Sequence, residues 1–416
     1  MNAGRAVEVS TLLKHGARVD VLNEDGQAPL HVAALSGDVE LADVLVTAGV
    51  DMELTTTDGS SALFLAIQSQ HFNVAEYLIQ KGANVTSANS SNITPLQAAI
   101  QLMPAARNII KLLIEAHSDV HTVTATGTTL LHIAMLYCSD LDLISSLLQK
   151  GIDPNAVDAD GAAALHIATE TDWAEAVILL LQRGAHAALQ DNKGQSPLHR
   201  AVASQKMNAL RAFLDCCDPV IHNTLSVLPD KENLTPLSIA VRAGDIPTVQ
   251  LLLRDNPNIA DESGNTALHH AADCLSVPVI SCLLTLPDIN INAQNAAGDT
   301  ALHIAARHGS DRIASMLVGQ QCEVDAVNNA GDTPLHCGIQ HPAVLLLLAQ
   351  SGANVEAVNS QGLDINTLAT PSVASNVRDM FAVHQLQANP PSHKELLNAL
   401  TTGATFLKHG RTGMYP

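Results

Sequence analysis

Aromatic side chains are nearly missing from this chain. Only 2% of its 416 residues are Phe, Trp or Tyr, although 47% are hydrophobic. A core of that composition must be made of Leu, Ala, Val and Ile, which suits stacked short helices and argues against a β-sandwich. Positive charge is scarce too: 21 Lys and Arg stand against 41 Asp and Glu, a formal charge of −20. Nucleic acid, which attracts a basic stripe, is excluded as an expected partner, and neutral or basic proteins are favoured. The 7 cysteines are scattered, with Cys216 and Cys217 adjacent and no C-x-x-C. That pattern excludes a disulfide framework or zinc knuckle and suits a reducing, cytoplasmic compartment. Long apolar runs are absent, Ala176–Leu181 and Pro342–Ala349 being far too short to span a bilayer. The opening MNAGRAVEVS has no apolar stretch, so no secretory signal is expected. Neither G-x-x-x-x-G-K-[S/T] nor H-E-x-x-H occurs, and the expectation is no enzyme, no cofactor and no metal.

What the chain does have is one pattern written many times. In Gly298-Asp-Thr-Ala-Leu-His-Ile-Ala-Ala-Arg-His-Gly309, Gly298 reads as a turn residue able to take positive φ. Thr300 reads as an N-cap whose hydroxyl accepts a backbone N–H. Leu302, Ile304 and Ala305 make the apolar side of a short helix, Gly309 ends it, and Ile313 to Val318 returns antiparallel. Gly331-Asp-Thr-Pro-Leu-His336 begins the pattern again. Its leucine recurs at Leu30, Leu63, Leu96, Leu131, Leu165, Leu198, Leu237, Leu268, Leu302 and Leu335, at intervals of 33, 33, 35, 34, 33, 39, 31, 34 and 33. Gly or Asn stands at every turn position, and a small polar residue such as Asp158, Asp191 or Asn295 three places earlier can close an Asx turn. A unit this small cannot bury its own apolar face and must stack on copies of itself.

A repeat of about 33 residues carrying T-P-L-H-x-A resembles the ankyrin repeat. The resemblance covers roughly residues 8 to 370 and implies an all-α solenoid of about ten helix–turn–helix pairs with β-turn fingers. Phe64, Gln97 and Ser238 replace the pattern's histidine and Leu130 its proline, which brings local capping into question. The repeated histidines (His31, His132, His166, His199, His269, His303, His336) are read as structural, each hydrogen-bonding a neighbouring turn and tying finger to finger. His269, His270, Cys274 and Cys282 do not make a metal set by this reading, because Cys274 follows one helix and Cys282 lies in the next.

The expected organisation is a partial repeat over 1–20, the solenoid over 21–362, a degenerate capping repeat over 363–387 with a last helix from Val373 to Leu386, and a linker over 388–395. Within residues 396–416, Gly403-Ala-Thr-Phe-Leu-Lys-His-Gly-Arg-Thr-Gly413 resembles the first strand and loop of a pleckstrin-homology domain, truncated here, and the resemblance implies phosphoinositide contact at Lys408 and Arg411. The segment Cys216–Glu232 adds about six residues and is expected to lengthen one finger, its part around Pro219–Pro229 being either a surface binding loop or disordered.

In the ankyrin pattern the variable finger tips and the ends of the first helices recognise partners. Here these are Glu24, Asp25, Asp58 and Asp160 on the fingers, and Leu136, Tyr137, Glu170, Arg242, Arg307 and His308 on the helices. Trp173, the only tryptophan, falls at the turn between two helices, and Tyr and Trp are common energetic anchors. The acidic tips crowd the first half, so a basic partner segment is expected there. The expected function is a monomeric, non-enzymatic adaptor binding a protein partner along this surface and coupled to membranes through a C-terminal lipid-binding domain. Many repeats followed by a lipid-reading module are similar to rabankyrin-type endosomal proteins, although the module in those differs. The alternative is a regulatory ankyrin domain of a larger enzyme or channel.

Overall fold

The computed structural model describes residues 3–368. The helix expected over Val373–Leu386, the linker 388–395 and the pleckstrin-like stretch with Lys408 and Arg411 lie outside them.

The described residues form 23 helical segments and no strand. A single helix, α1 (Ala3–Lys14), comes first. Antiparallel pairs follow: α2 and α3 (Pro29–Ser36, Val39–Thr47), α4 and α5 (Ala62–Gln68, Phe72–Gln80), α6 and α7 (Pro95–Gln101, Arg107–Glu115), α8 and α9 (Leu130–Tyr137, Leu141–Gln149). Next come α10 and α11 (Ala164–Glu170, Ala174–Gln182), α12 and α13 (Pro197–Ala203, Met207–Asp215), the single α14 (Pro219–Ser226), then α15 and α16 (Pro236–Ala243, Ile246–Leu252). The last are α17 and α18 (Ala267–Asp273, Val277–Leu283), α19 and α20 (Ala301–Arg307, Asp311–Val318), α21 and α22 (Pro334–Cys337, Pro342–Gln350) and α23 (Ile365–Leu368). None of these is long and apolar enough to cross a membrane.

The contacts divide into two compact units, parting after Ile239. Within the first, α2, α4, α6, α8, α10 and α12 pack in succession, each first helix on the next; α17, α19, α21 and α23 do so in the second. The core lies between them. All ten recurring leucines are buried, as are the small residues one turn on, such as Ala168, Ala271 and Ala305. Each buried leucine contributes roughly 1.5–3 kcal/mol, and the alanines let neighbouring helices approach.

The fingers are turns closed by their own polar residue. Asn295 Oδ1 accepts from the N–H groups of Ala297 and Asp299, both at 3.0 Å, while Gly298 sits at φ +77°. Asp158, Asp191, Asp230, Asp261 and Asn328 close their turns likewise. Several tips also donate a backbone bond to the preceding finger, for example Asn192 N to Asp160 O at 2.9 Å and Asn329 N to Ala297 O at 3.0 Å.

Two expectations are corrected. The segment Cys216–Glu232 is not a long loop. It contains α14, started by Asp218, whose carboxylate accepts from Val220 N and Ile221 N at 2.9 Å, and anchored by buried His222, Leu225 and Ser226. Pro219 stands at the first helical position, where its missing N–H costs nothing, and the burial of His222, Leu225 and Ser226 holds the helix in place. The second concerns capping. Thr300 Oγ1 lies 2.9 Å from His303 Nδ1 and does not cap a backbone N–H. The hydroxyl cap appears where the histidine is missing: Ser61 accepts from Phe64 N, Thr94 from Gln97 N and Thr235 from Ser238 N, at 3.1–3.3 Å. With no ring nitrogen to receive its proton, the hydroxyl turns to the helix.

Candidate interaction surface

Six of the repeated histidines share one geometry. In each, Nδ1 accepts the N–H of the residue before its helix at 2.9–3.2 Å. Nε2 must then carry the proton, and it donates to a carbonyl of the following finger at 2.8–3.2 Å: Leu54, Ala162, Gln195, Leu234, Asp299 and Asp332. Burial pushes these imidazoles below their ordinary value. They are neutral struts from finger to finger. His269 and His270 face different partners, the latter holding the Asp261 carboxylate at 2.9 Å, so they do not converge on one ligand position.

The surface left over by this repeating framework is where recognition can differ from unit to unit. Glu24, Asp25 and Asp160 stand exposed on finger tips. Asp58 is exposed as well, but its carboxylate receives the hydroxyls of Thr56 and Ser60, the latter at 2.8 Å, and these bonds hold it below the usual carboxylate range. Glu170 is drawn into an ion pair with Arg200 at 3.2 Å, and Arg200 reaches on to Asp191 at 2.7 Å. Burial works against ionisation of Asp191, yet the bonds from Arg200 and from the N–H groups of Gln195 and Lys193 outweigh it and keep its carboxyl low. In the second unit Arg307 holds Asp299 at 2.7 Å, and His308 Nε2 lies 3.1 Å from Asp273. Arg242 is exposed.

These pairs have a common logic that the sequence reading did not contain. A basic residue near the end of a first helix folds back onto an acidic residue of its own finger: Arg200 on Asp191 and His270 on Asp261, which close their turns, and Arg307 on Asp299, whose turn Asn295 closes. The spacing of eight or nine residues is a visible signal.

The apolar candidates come together. Leu136 and Tyr137 end α8 and are 55% and 52% exposed. Trp173, half-buried, stands immediately before α11. All three line one open cleft of about 390 Å³ with Met135, Cys138, Thr171 and Asp172. The backbone of Asp172 is left-handed at φ +61°, and its carboxylate accepts from Ala209 N at 2.8 Å and Asn208 Nδ2 at 2.9 Å. That bond to the next pair fixes the cleft wall, and nothing in the local sequence announces it.

Stacked helix pairs with hydrogen-bonded fingers and a variable exposed side define a tandem-repeat recognition protein. A family model described as ankyrin repeats (3 copies) matches residues 2–89, 36–124, 131–224, 214–295 and 276–359, and the chain belongs to that family of protein–protein interaction modules. It is similar to human transient receptor potential cation channel subfamily A member 1, 28% identical over 334 residues, which are 76% of this chain and 29% of that protein. It also resembles human SH3 and multiple ankyrin repeat domains protein 2, 32% identical over 186 residues (43% of this chain, 10% of the relative). E3 ubiquitin-protein ligase KEG of Arabidopsis thaliana is 24% identical over 329 residues, 74% of this chain and 18% of the relative. The chain thus spans less than a third of the length of each of these relatives.

Proposed function

We propose that this chain is a non-enzymatic adaptor that binds a protein partner along its finger tips and the ends of its first helices, with a basic segment of the partner lying on the first unit. One observation carries the reading. In a chain with 2% aromatics, the sole tryptophan and an exposed tyrosine share a single open cleft. Aromatic side chains exposed around a pre-shaped cleft are strong binding anchors, because little ordering is needed on either side. Glu24, Asp25 and Asp160 supply exposed carboxylates without an ion pair among the described residues, whereas Asp58, Glu170, Arg307 and His308 are engaged within the protein.

Affinity capture with the wild-type chain and with Leu136→Ala/Tyr137→Ala, both sites more than half exposed, tests the assignment. A protein retained by the first and lost from the second is the expected result. Identical captured sets would sink the cleft as the binding site.

The greater length of the relatives, one of them a cation channel, supports a second reading in which these repeats regulate a larger enzyme or channel. A full-length transcript encoding a catalytic or membrane-spanning segment would decide for it. Membrane coupling through Lys408 and Arg411 rests on the sequence resemblance of residues 396–416 alone. Binding of the chain to phosphoinositide vesicles, lost in Lys408→Glu/Arg411→Glu, is its test.

A further inference from the structure

The cleft of Leu136, Tyr137 and Trp173 reaches Cys138 and Ser139, and a second cavity starts at Asp140. This one is about 210 Å³ and lies between α7 and α9, floored by Met103, Ile110, Ile114 and Leu143. Its position is unusual for the unit. Elsewhere the second helices pack on their successors, α3 on α5, α5 on α7, α9 on α11 and α11 on α13. The cavity opens beside the turn Leu102–Ala106, which carries an extra residue and sets the start of α7.

Charge around its rim is uneven. Arg107 is occupied by Asp140 at 2.8 Å. Glu115 and Asp142 are exposed carboxylates without an ion pair among the described residues, against the single ammonium of Lys111. An apolar floor beneath an excess of carboxylates favours an apolar side chain carried beside a positive one.

We propose that the two cavities form one bipartite site for a short, extended, basic segment of a protein partner. One apolar anchor lies against Tyr137 and Trp173, a second fills the space between α7 and α9, and a Lys or Arg between them faces Asp142. The proposal rests on the adaptor reading above and extends it. Distance permits it: five consecutive residues, 138 to 142, join the two linings, a path of at most about 15 Å. An extended chain rising about 3.3 Å per residue covers that with roughly four or five residues.

The test is selection of a random short-peptide display library against the full chain, followed by fluorescence anisotropy of a labelled selected peptide. The expected peptides carry two apolar positions about four or five residues apart with Lys or Arg between them. Trp173→Ala, Ile114→Arg and Asp142→Lys should each weaken binding by about tenfold or more. Asp142 is exposed, so its variant should keep the wild-type melting curve and separates lost binding from lost folding. Peptides that respond to Trp173→Ala or Tyr137→Ala but not to Ile114→Arg or Asp142→Lys would overturn the bipartite site and leave the adaptor reading standing. A selection yielding no peptide sensitive to any of these changes would remove both.

Discussion

At the scale of single residues, the decisive group is the neutral imidazole. Six histidines are held below the ordinary value of 6.5 by burial, so between their folded values and 6.5 the unfolded chain binds more protons than the folded one. Their contribution to stability is therefore complete above 6.5 and is lost as pH falls toward the folded values. Urea midpoints measured from about pH 8 down to pH 5 should drop, before the carboxylates titrate. The chain contains its own control. Gln97 occupies the histidine position, its Oε1 accepting from Thr94 N at 2.8 Å and its Nε2 donating to Thr122 O at 3.4 Å. His166→Gln and His303→Gln should keep most of the stability near pH 8 and flatten the acid slope. Leucine at either site strands a buried N–H and a carbonyl, a loss of about 1–3 kcal/mol at any pH. Asp191 offers a second contrast. Asp191→Asn keeps the turn acceptor and leaves Arg200 its bond to Glu170, but it removes a charged bond to a buried carboxylate, so about 1.5–3 kcal/mol should be lost on chemical denaturation. Asp191→Ala leaves two turn N–H groups without their acceptor and should cost roughly 2–4 kcal/mol.

At the scale of the element, the finger is fixed by its neighbour as much as by its own residues. Gly161 and Gly184 both have left-handed backbones, at φ +76° and +88°. A Cβ on Gly184 would meet nothing within 4 Å, whereas one on Gly161 would lie 2.8 Å from the backbone nitrogen of Asn192 in the next finger. Gly184→Ala should cost only the left-handed penalty of about 1–2 kcal/mol. Gly161→Ala should cost clearly more, because the Asn192 N to Asp160 O bond must open; equal melting curves would refute the stacking argument. The helices themselves were legible in the sequence: Leu302 and Ala305 show the buried side, Gly309 the stop and Asn295 the turn. α14 was not, since Pro219–Ser226 reads as loop until His222 and Leu225 find a surface to cover. The exchange of capping roles between Thr300 and His303 was hidden for a similar reason, because a hydroxyl proton chooses among acceptors that only folding brings near.

At the scale of the whole molecule, a formal charge of −20 makes a field that attracts basic partners before contact. Glu24, Asp25 and Asp160 are exposed contributors to that field. Reversing all three to lysine should slow association of a basic partner and weaken its salt dependence while leaving dissociation nearly unchanged. Stopped-flow association at two ionic strengths measures this, and an unaltered rate would count against electrostatic steering. Reversal at Asp58 is a poorer probe, because it also breaks the bonds from Thr56 and Ser60.

Periodicity by itself determined the repeat, its helices, its turn residues and the structural role of the histidines. Those features are written locally, through a 33-residue rhythm and through backbone angles that few residues tolerate. Only tertiary structure decided which charges remain free and which apolar residues meet. Tyr137 and Trp173 are 36 positions apart in the chain yet line one cleft, and Arg307 looks available until Asp299 is seen beneath it. Adjacency across repeats depends on how each pair stacks on the next, which spacing within one repeat does not record.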